Sequence, residues 1–467
     1  MSDPVQSIAA GDLTFLDAEE LRCWLEAQRW YASKSRHVAG VELIESLPLS
    51  EEPPLLFVAL LLTRFPTGTH ELYQLPLGLR PADEPWPGDA IATTPEWTIY
   101  DALTDPVQGR ELLRRIDAGR PIETEHGRFD FRLADGRLGL PEDVPVRPMG
   151  VEQSNSSLVF GDELVMKVFR KLEAGTNPEL ELLEFLTARD FLNIAPLYGA
   201  YEYEGHSLAA TLGIVQRFLP DGVGGWELAL EEMASQPDVL LDRLGTLGEV
   251  TAQMHTVLAS DASDPAFAPE EPSQEALSLL TATVDEDIER VFVRLPNDER
   301  VAPIAGSGQD VRERLTMLAH LGTGGRVIRI HGDYHLGQTL YTPRGWVVID
   351  FEGEPARPLP ERRQKRSPLR DVAGMLRSFA YAASAAQILR SRAGPQDFEQ
   401  RARETFLERY FDTIDPGLLP AGEPATQNLL AVFELEKAVY ELRYELDNRP
   451  DWVAIPVAGI RRLLELT

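Results

Sequence analysis

Two short apolar segments that each end in an acidic turn constrain this chain more than any other feature. The first ends at His331-Gly332-Asp333, and the second ends at Asp350, which follows Asp333 by 17 residues. A single turn of this kind is common, because Asp is an ordinary turn-forming residue. Two of them at this spacing are typical of a catalytic site, and we expect both aspartates to belong to it.

The residue types at these turns fit phosphoryl transfer, in which a protein mainly orients the reactants and balances charge. Asp333 is then the catalytic carboxylate, which accepts the proton of an acceptor hydroxyl. Gln338 and Asp350 supply oxygen ligands of the kind that magnesium prefers. The motif therefore predicts a phosphotransferase that uses ATP and Mg2+ and has an alcohol group as its acceptor.

Candidates for the triphosphate site lie upstream of this motif. The chain contains no GxxxxGK[ST] motif, which excludes a Walker-type loop. Small hydroxyl and amide residues can cradle phosphates as a glycine loop does, although such runs also form plain turns. A run of this type stands before a predicted hairpin and consists of Ser154, Asn155, Ser156 and Ser157.

Lys167 lies among the apolar residues of a predicted strand, Leu164–Phe169. Burial of its charge is costly without an anionic partner, so we expect it to contact phosphates and to pair with a glutamate of the next helix. Glu181 is predicted as that partner, in preference to Glu179 and Glu184. The alternative is a strand lysine that faces solvent.

The chain changes from β-rich to helix-rich near residue 218, which predicts a small lobe followed by a large one. Gln216 and Phe218 end the last strand before this change, and we expect adenine to bind to backbone groups there. The predicted division is residues 1–95 for a separate N-terminal subdomain, 96–217 for an intermediate subdomain with the small lobe, and 218–467 for the helical lobe.

Composition argues against several classes of partner. With 75 acidic and 45 basic residues the net charge is −30, so the surface repels nucleic acid and anionic membranes. ATP is repelled as well, so its binding requires local cations and a divalent metal. A single cysteine, Cys23, and an N-terminus without the basic head or apolar core of a signal peptide lead us to expect a cytoplasmic protein.

The catalytic motif resembles that of the aminoglycoside-phosphotransferase-like kinases, which usually carry Asn where this chain has Gln338. Over essentially the whole chain, the sequence also resembles the actinobacterial maltokinases. This resemblance implies an α+β, bilobal protein-kinase-like fold with an additional N-terminal cap subdomain and a mainly helical C-lobe. The matching segments include Gln28-Arg29-Trp30-Tyr31-Ala32, Ser154-Asn155-Ser156-Ser157, Ser367-Pro368-Leu369-Arg370-Asp371 and Asn448-Arg449-Pro450-Asp451-Trp452.

The resemblance implies transfer of the ATP γ-phosphate to the anomeric C1 hydroxyl of maltose. The product, maltose 1-phosphate, would serve α-glucan (glycogen) synthesis from trehalose-derived maltose, with a separate trehalose/maltose-interconverting enzyme as a partner. Monomer and dimer both remain open. The alternative acceptors are glucosamine, another aminosugar or an aminoglycoside. Outside catalysis, the alternatives are an inactive nucleotide-binding regulatory module and a purely carbohydrate-binding protein.

The predicted sugar contacts are His335, Tyr440, Glu441, Tyr444 and Arg449. The histidine follows the catalytic aspartate by two residues. The next three lie on adjacent stripes of a predicted helix, 428–447, where polar groups beside aromatic rings suit a neutral sugar. The arginine belongs to a segment that resembles the maltokinases. A solvated amphipathic face is the alternative for each helical residue.

Two further residues stand close to this chemistry in the sequence pattern. Asp371, near the start of a predicted helix, is expected to cap that helix, and support of the catalytic loop is the alternative. His255 lies on an apolar helix and is expected to be a core residue with its hydrogen bonds satisfied.

Overall fold

The computed structural model describes residues 3–134, 136, 138–139, 141, 143–150, 154–206, 208–319, 324–390 and 395–465. The chain divides into two compact units. The first comprises Met1–Glu184 with Ala195–Pro220, and the second comprises Phe185–Ile194 with Asp221–Thr467. Each unit contains a hydrophobic cluster of its own.

The first unit is built mainly from strands. Its helices are α1 (Pro4–Ala9), α2 (Ala18–Ala27), α3 (Pro106–Ala118) and α4 (Pro178–Thr187), the last of which continues into the second unit. Its strands are β1 (Gly40–Pro48), β2 (Leu55–Arg64), β3 (His70–Pro81), β4 (Ala90–Thr93), β5 (Trp97–Asp101), β6 (Ile122–Glu123), β7 (Gly127–Leu133), β8 (Val146–Pro148), β9 (Asn155–Phe160), β10 (Leu164–Phe169), β11 (Lys171–Leu172), β12 (Leu197–Gly205) and β13 (Ala209–Arg217).

These strands form two antiparallel sheets. The first has the order β1-β2-β3-β5-β4, and the second has the order β6-β7-β12-β13-β10-β9-β8. The apolar run of β2 is buried along most of its length because β1 and β3 flank it within the first sheet. The predicted division at residues 95 and 217 stays a prediction, and β5 extends the first sheet as far as Asp101.

The segment that follows α2 packs into the core of the first sheet. Asp17 caps α2 by accepting hydrogen bonds from the amides of Glu19 and Glu20. Trp30 and Tyr31, which belong to the maltokinase-like segment, are buried, and both rings lie against Tyr73, with centroids 6.1 and 5.1 Å away. This part of the resemblance thus corresponds to core packing.

One stretch of chain belongs to both sheets of the first unit. β10 lies in the second sheet, and β11 follows after a single residue and pairs with β3 of the first sheet. The buried side chain of Gln74 reinforces this junction, because its Nε2 donates to the carbonyl oxygens of Phe169 and Leu212 at 3.0 and 2.8 Å. Tyr201 Oη donates to Gln74 Oε1 at 2.7 Å.

The second unit is mainly helical. Its strands β14 (Val223–Gly224), β15 (Thr339–Thr342) and β16 (Gly345–Val348) pair in that order. Its helices are α5 (Gly225–Ser235), α6 (Pro237–Leu258), α7 (Gln274–Val293), α8 (Gly308–Ala319), α9 (Leu359–Arg362), α10 (Leu369–Arg390), α11 (Phe398–Thr413), α12 (Glu423–Asn448) and α13 (Ala454–Glu465). Its hydrophobic cluster draws on α7, α8, α12 and α13.

The predicted α+β class is confirmed. The segment before His331 differs from the prediction, because it forms single bridges from Val327 to Glu270 and from Ile328 to Arg366 rather than a strand of a sheet. The segment before Asp350 does form a strand, β16. Within the described part of the chain, no helix combines the length and the apolar character that a bilayer crossing requires.

Candidate active site

The loop that carries Asp333 is anchored by a buried carboxylate. Asp371, in the first turn of α10, accepts hydrogen bonds from the backbone amides of His331 at 2.9 Å and Gly332 at 3.0 Å. Gly332 has φ of +87°, a conformation that L residues other than glycine rarely adopt. Asp371 therefore supports the loop that carries Asp333, the role that the sequence left open beside the expected helix cap.

The same carboxylate binds a second buried group. His255 Nε2 lies 3.2 Å from Asp371 Oδ2, and His255 Nδ1 lies 3.0 Å from Tyr410 Oη. Burial alone would raise the pKa of Asp371, but the hydrogen bond from His255 and other interactions outweigh it, so the pKa lies below its ordinary value. His255 is confirmed as a core residue with its hydrogen bonds satisfied.

The carboxylate of Asp333 opens into a cavity of the second unit. Its Oδ1 lies 3.6 Å from Lys437 Nζ, and its Oδ2 lies 3.9 Å from His335 Nε2. Both gaps exceed hydrogen-bond length, so the carboxylate can accept a hydrogen bond from the hydroxyl group of a substrate. The other side chains that line this cavity are Asp287, Tyr334, Glu354, Arg357, Arg370, Asp371, Phe433, Glu436 and Tyr440.

Gln338 and Asp350 lie together, as the sequence predicts for two ligands of one metal. Gln338 Nε2 donates to Asp350 Oδ2 at 3.0 Å. The backbone amide of Ile349 donates to the backbone carbonyl oxygen of Gln338, also at 3.0 Å. Asp350 has φ of +63°, a strained conformation for a residue other than glycine and one that clusters at functional sites.

Sequence reasoning missed one carboxylate beside this pair. Oxygens of Asp350 and Glu352 lie within 4.8 Å of one another, close enough to share a cation. Carboxylate and amide oxygens suit Mg2+, and the donor set of Gln338, Asp350 and Glu352 thus fits the predicted metal. The acidic residue two positions after Asp350 was the signal available in the sequence.

Lys167 forms a buried ion pair, but its partner differs from the predicted one. Its Nζ lies 2.8 Å from Glu179 Oε2, and both side chains are buried. The prediction of Glu181 is wrong because two residues correspond to about 200° around a helix, which turns the two side chains to different faces. Glu184 instead forms an ion pair with Arg132.

The hydroxyl and amide run is mostly part of a strand. Ser154 is exposed, whereas Asn155 and Ser157 are buried within β9. Ser156 Oγ accepts a hydrogen bond from Arg170 Nε at 2.8 Å. The buried guanidinium of Arg170 also forms an ion pair with Asp101 and lies over the ring of Trp30, 4.7 Å from its centroid.

The predicted hinge residues lie at the end of β13. Gln216 Nε2 donates to the carbonyl oxygen of Ala195 at 3.2 Å. The backbone amide of Phe218 donates to the carbonyl oxygen of Glu163 at 2.7 Å. Because the Phe218 amide is already bonded, adenine would have to bind to other backbone groups of this segment or replace Glu163 as the partner of that amide.

Two of the predicted sugar contacts lie beside Asp333. Tyr440 lines the cavity, and His335 faces the carboxylate. Nδ1 of His335 accepts a hydrogen bond from the amide of Gly337 at 3.0 Å, so in the neutral ring the proton is on Nε2. Burial lowers the pKa of His335, which favours this neutral form.

The other predicted sugar contacts lie elsewhere on α12 and after it. Glu441 is not supported as a sugar contact, because Oε2 of its buried carboxylate binds Arg377 at 2.7 and 2.9 Å. One residue along a helix also turns its side chain by about 100° away from Tyr440, and sugar contact by Glu441 stays a prediction. Tyr444 is exposed. Arg449 binds Glu445, and its guanidinium lies 5.4 Å from the Tyr444 ring centroid. For these last two, sugar contact stays a prediction.

Comparison with known proteins gives two matches along the chain. Residues 145–407 match the phosphotransferase enzyme family, a span of more than half the chain. Residues 24–105 match the maltokinase N-terminal cap domain. The first match includes Lys167, Asp333 and Asp350, and the second coincides with most of the first sheet.

Two curated relatives are both described as glucosamine kinases. A glucosamine kinase of Mycolicibacterium smegmatis is 28% identical over 406 residues, which cover 83% of this chain and 92% of the relative. A glucosamine kinase of Streptacidiphilus jiangxiensis is 25% identical over 328 residues, or 67% of this chain and 72% of the relative.

A solved structure described as glucosamine kinase in complex with glucosamine, ADP and inorganic phosphate has a TM-score of 0.72 to this chain at 18% identity. The match covers 98% of this chain and 99% of the chain in that solved structure. At that identity the likeness concerns the fold alone. Together with the two family matches, it confirms the predicted kinase-like fold with an N-terminal cap.

Proposed function

We propose that this chain, which belongs to the phosphotransferase enzyme family, transfers the γ-phosphate of ATP to a hydroxyl group of a small sugar. The observation that carries the proposal is the position of Asp333. Its carboxylate is anchored through Asp371, opens into a cavity and leaves room on both oxygens for an acceptor. Such an aspartate is what a positioned hydroxyl requires in phosphoryl transfer.

In the proposed reaction, the sugar hydroxyl oxygen forms a bond to the γ-phosphorus while the bond from that phosphorus to the β,γ-bridging oxygen breaks. The hydroxyl proton passes to Asp333, and ADP leaves. His335 Nε2–H can donate a hydrogen bond to the sugar, and the ring of Tyr440 offers a flat apolar face to it.

Gln338, Asp350 and Glu352 are the residues that we propose to hold Mg2+. When bound at these residues, Mg2+ would supply positive charge to offset the negative charge of the nucleotide phosphates. In the first unit, we propose that Lys167, positioned by Glu179, binds the α and β phosphates and that the exposed Ser154 contributes to phosphate binding.

Glucosamine is the acceptor that we favour. Both curated relatives named above are glucosamine kinases. The cavity also suits an acceptor that carries an ammonium group, because the carboxylates that line it outnumber the cations. These carboxylates are Asp287, Asp333, Glu354, Asp371 and Glu436, against the cations Arg357, Arg370 and Lys437.

Maltose is the second candidate, with transfer to its C1 hydroxyl as the sequence analysis predicts. The observation that favours it is the match of residues 24–105 to the maltokinase N-terminal cap domain. The proposed role in α-glucan synthesis and the partner enzyme that interconverts trehalose and maltose depend on this second candidate.

The test is a phosphoryl-transfer assay with the purified chain, ATP and Mg2+. Glucosamine, maltose, glucose and an aminoglycoside are offered separately, and the phosphorylated product is identified by mass spectrometry. Transfer to glucosamine with the highest kcat/KM is the expected result. A preference for maltose would select the second candidate. If none of the offered sugars were phosphorylated, the proposed function would be contradicted.

A further inference from the structure

We propose that Lys437 of α12 is a catalytic residue that contacts the phosphoryl group during its transfer from ATP to the sugar. This inference rests on the proposed function and adds a residue that lies 104 positions after the catalytic aspartate in the sequence. Lys437 lines the cavity into which Asp333 opens. The acceptor hydroxyl and the incoming phosphorus must meet within hydrogen-bond reach of that carboxylate.

The ammonium of Lys437 is held close to Asp333 but is not bonded to it. Nζ lies 3.6 Å from Asp333 Oδ1 and 5.4 Å from the centroid of the Tyr440 ring. Throughout the described part of the chain, this ammonium makes no hydrogen bond to protein, so its donors remain for a ligand. An oxygen of a phosphoryl group beside Asp333 is within its reach.

The other two cations of the cavity are already engaged. Arg357 Nε binds Glu354 Oε2 at 2.7 Å, and Arg370 Nη2 binds Glu436 Oε1 at 2.6 Å. Each arginine is thus neutralised by a carboxylate at hydrogen-bond length. Lys437 is therefore the cavity cation whose charge is best placed to meet an anionic group.

Charge balance explains why such a cation is needed. The chain has a net charge of −30, and five carboxylates line this cavity. A γ-phosphate that approaches Asp333 meets a repulsive field, and the negative charge on its equatorial oxygens must be stabilised during transfer. A lysine ammonium at this point offsets both effects.

Lys437 carries its charge at neutral pH. Burial alone would lower the pKa of Lys437, but attraction to Asp333, Glu441 and Glu354 outweighs burial and raises the pKa above its ordinary value.

In the transfer step the new bond joins the sugar oxygen to phosphorus, the β,γ-bridging bond breaks, and the proton goes to Asp333. Lys437 remains protonated and only donates hydrogen bonds.

The test compares Lys437→Met with Lys437→Arg and with a matched control, Arg443→Met. Arg443 lies on the same helix, and its guanidinium lies 5.5 Å from the centroid of the same Tyr440 ring. Turnover, the KM for sugar and the binding of ADP alone are measured. A further measurement is the binding of ADP with Mg2+ and aluminium fluoride, which mimics the phosphoryl group in transfer.

We expect Lys437→Met to lower kcat roughly 10²–10³-fold, the range for loss of one charge-stabilising donor. It should also lose the extra affinity that aluminium fluoride gives to ADP, while ADP alone binds as before. Lys437→Arg should recover part of both, and Arg443→Met should change neither.

Equal turnover and aluminium fluoride binding in Lys437→Met and in the unmodified chain would overturn the assignment. If Lys437→Met does not fold, failure of Lys437→Arg to retain any aluminium fluoride response in a folded protein would overturn it as well. Should the unmodified chain phosphorylate none of the sugars, the proposed function fails, and the aluminium fluoride measurement still decides the role of Lys437.

Discussion

Lys167 of β10 and Glu179 of α4 form a buried ion pair with Nζ and Oε2 2.8 Å apart. Removal of the carboxylate takes away a charge-assisted hydrogen bond to a buried ammonium, at a cost of about 1.5–3 kcal/mol. We expect Glu179→Gln to lower the free energy of unfolding by about that amount. The KM for ATP should rise, because Glu179 no longer holds Lys167 in place.

The matched control is Glu181→Gln, which changes the same residue type two positions further along α4. Its effect on both quantities should be smaller than that of Glu179→Gln, because Glu179 is the carboxylate bonded to Lys167 Nζ. Denaturant unfolding and steady-state kinetics with varied ATP measure the difference, and equal effects of the two variants would contradict the assignment of Glu179.

Asp333→Asn removes the proposed proton acceptor while it keeps the size of the side chain. Loss of a positioned base typically costs roughly 10²–10⁴-fold in rate, so kcat should fall by that amount. Affinity for ADP should persist, because this change leaves the nucleotide-binding residues of the first unit intact. Calorimetric titration with ADP and a transfer assay measure both, and near-normal kcat would refute the role of Asp333.

Asp350→Ala removes a proposed magnesium ligand and the partner of the Gln338 amide. We expect the variant to require far more Mg2+ for turnover and to bind Mg2+-ADP weakly. Gln338→Asn, which restores the shorter amide usual in aminoglycoside-phosphotransferase-like kinases, should remain active. Titration of ADP binding at varied Mg2+ gives the measurement, and an unchanged Mg2+ dependence in Asp350→Ala would contradict the ligand set.

Asp371 should make stability depend on pH in a definite direction. Its pKa in the folded chain lies below the unfolded value of about 3.9, so its stabilising contribution is complete above that value and is lost as the pH falls further. Asp371→Asn should destabilise the chain at pH 7 and slow turnover, because the amides of His331 and Gly332 lose a charged acceptor.

The same comparison in acid completes this test. The difference in free energy of unfolding between the unmodified chain and Asp371→Asn should shrink below about pH 4. A difference that stays constant from pH 7 to pH 3 would show that the carboxylate charge does not stabilise the loop.

Arg170 connects the first sheet to the strand that carries Ser156. Arg170→Met would leave Asp101 buried without its cation, a loss of about 3–5 kcal/mol. Ser156 would lose its hydrogen-bond donor as well. The neighbouring change Lys171→Met removes a half-exposed cation that pairs with Glu71 and serves as the control. Thermal unfolding of both variants would show whether the effect is specific to Arg170.

The acid-bearing turns, the lysine strand and the helical lobe were accessible from sequence, because each depends on local pattern and residue chemistry. The partner of Lys167 was not, since three glutamates lie on one helix and only the path of the chain decides which faces the strand. Glu441 shows the same limit. Its place beside Arg377 depends on how α12 packs against α10, and helical spacing alone does not reveal this.

Lys437 and Glu352 illustrate a different limit. Lys437 carries no sequence signature of its own, and the only signal for Glu352 was its position two residues after Asp350. Their proposed roles follow from their distances to Asp333 and Asp350 in the folded chain. The pairing of β11 with β3 could not be predicted from the sequence either, because a two-residue strand leaves no periodic pattern.

That junction has a consequence for protein engineering. Because β11 continues directly from β10 and pairs with β3, the N-terminal region is not a detachable module. A truncation that removed it would uncover the carbonyl oxygens that Gln74 now binds and would leave β11 as an open strand edge. Open edges invite pairing between molecules, so shortened versions of this chain should aggregate where the full chain does not.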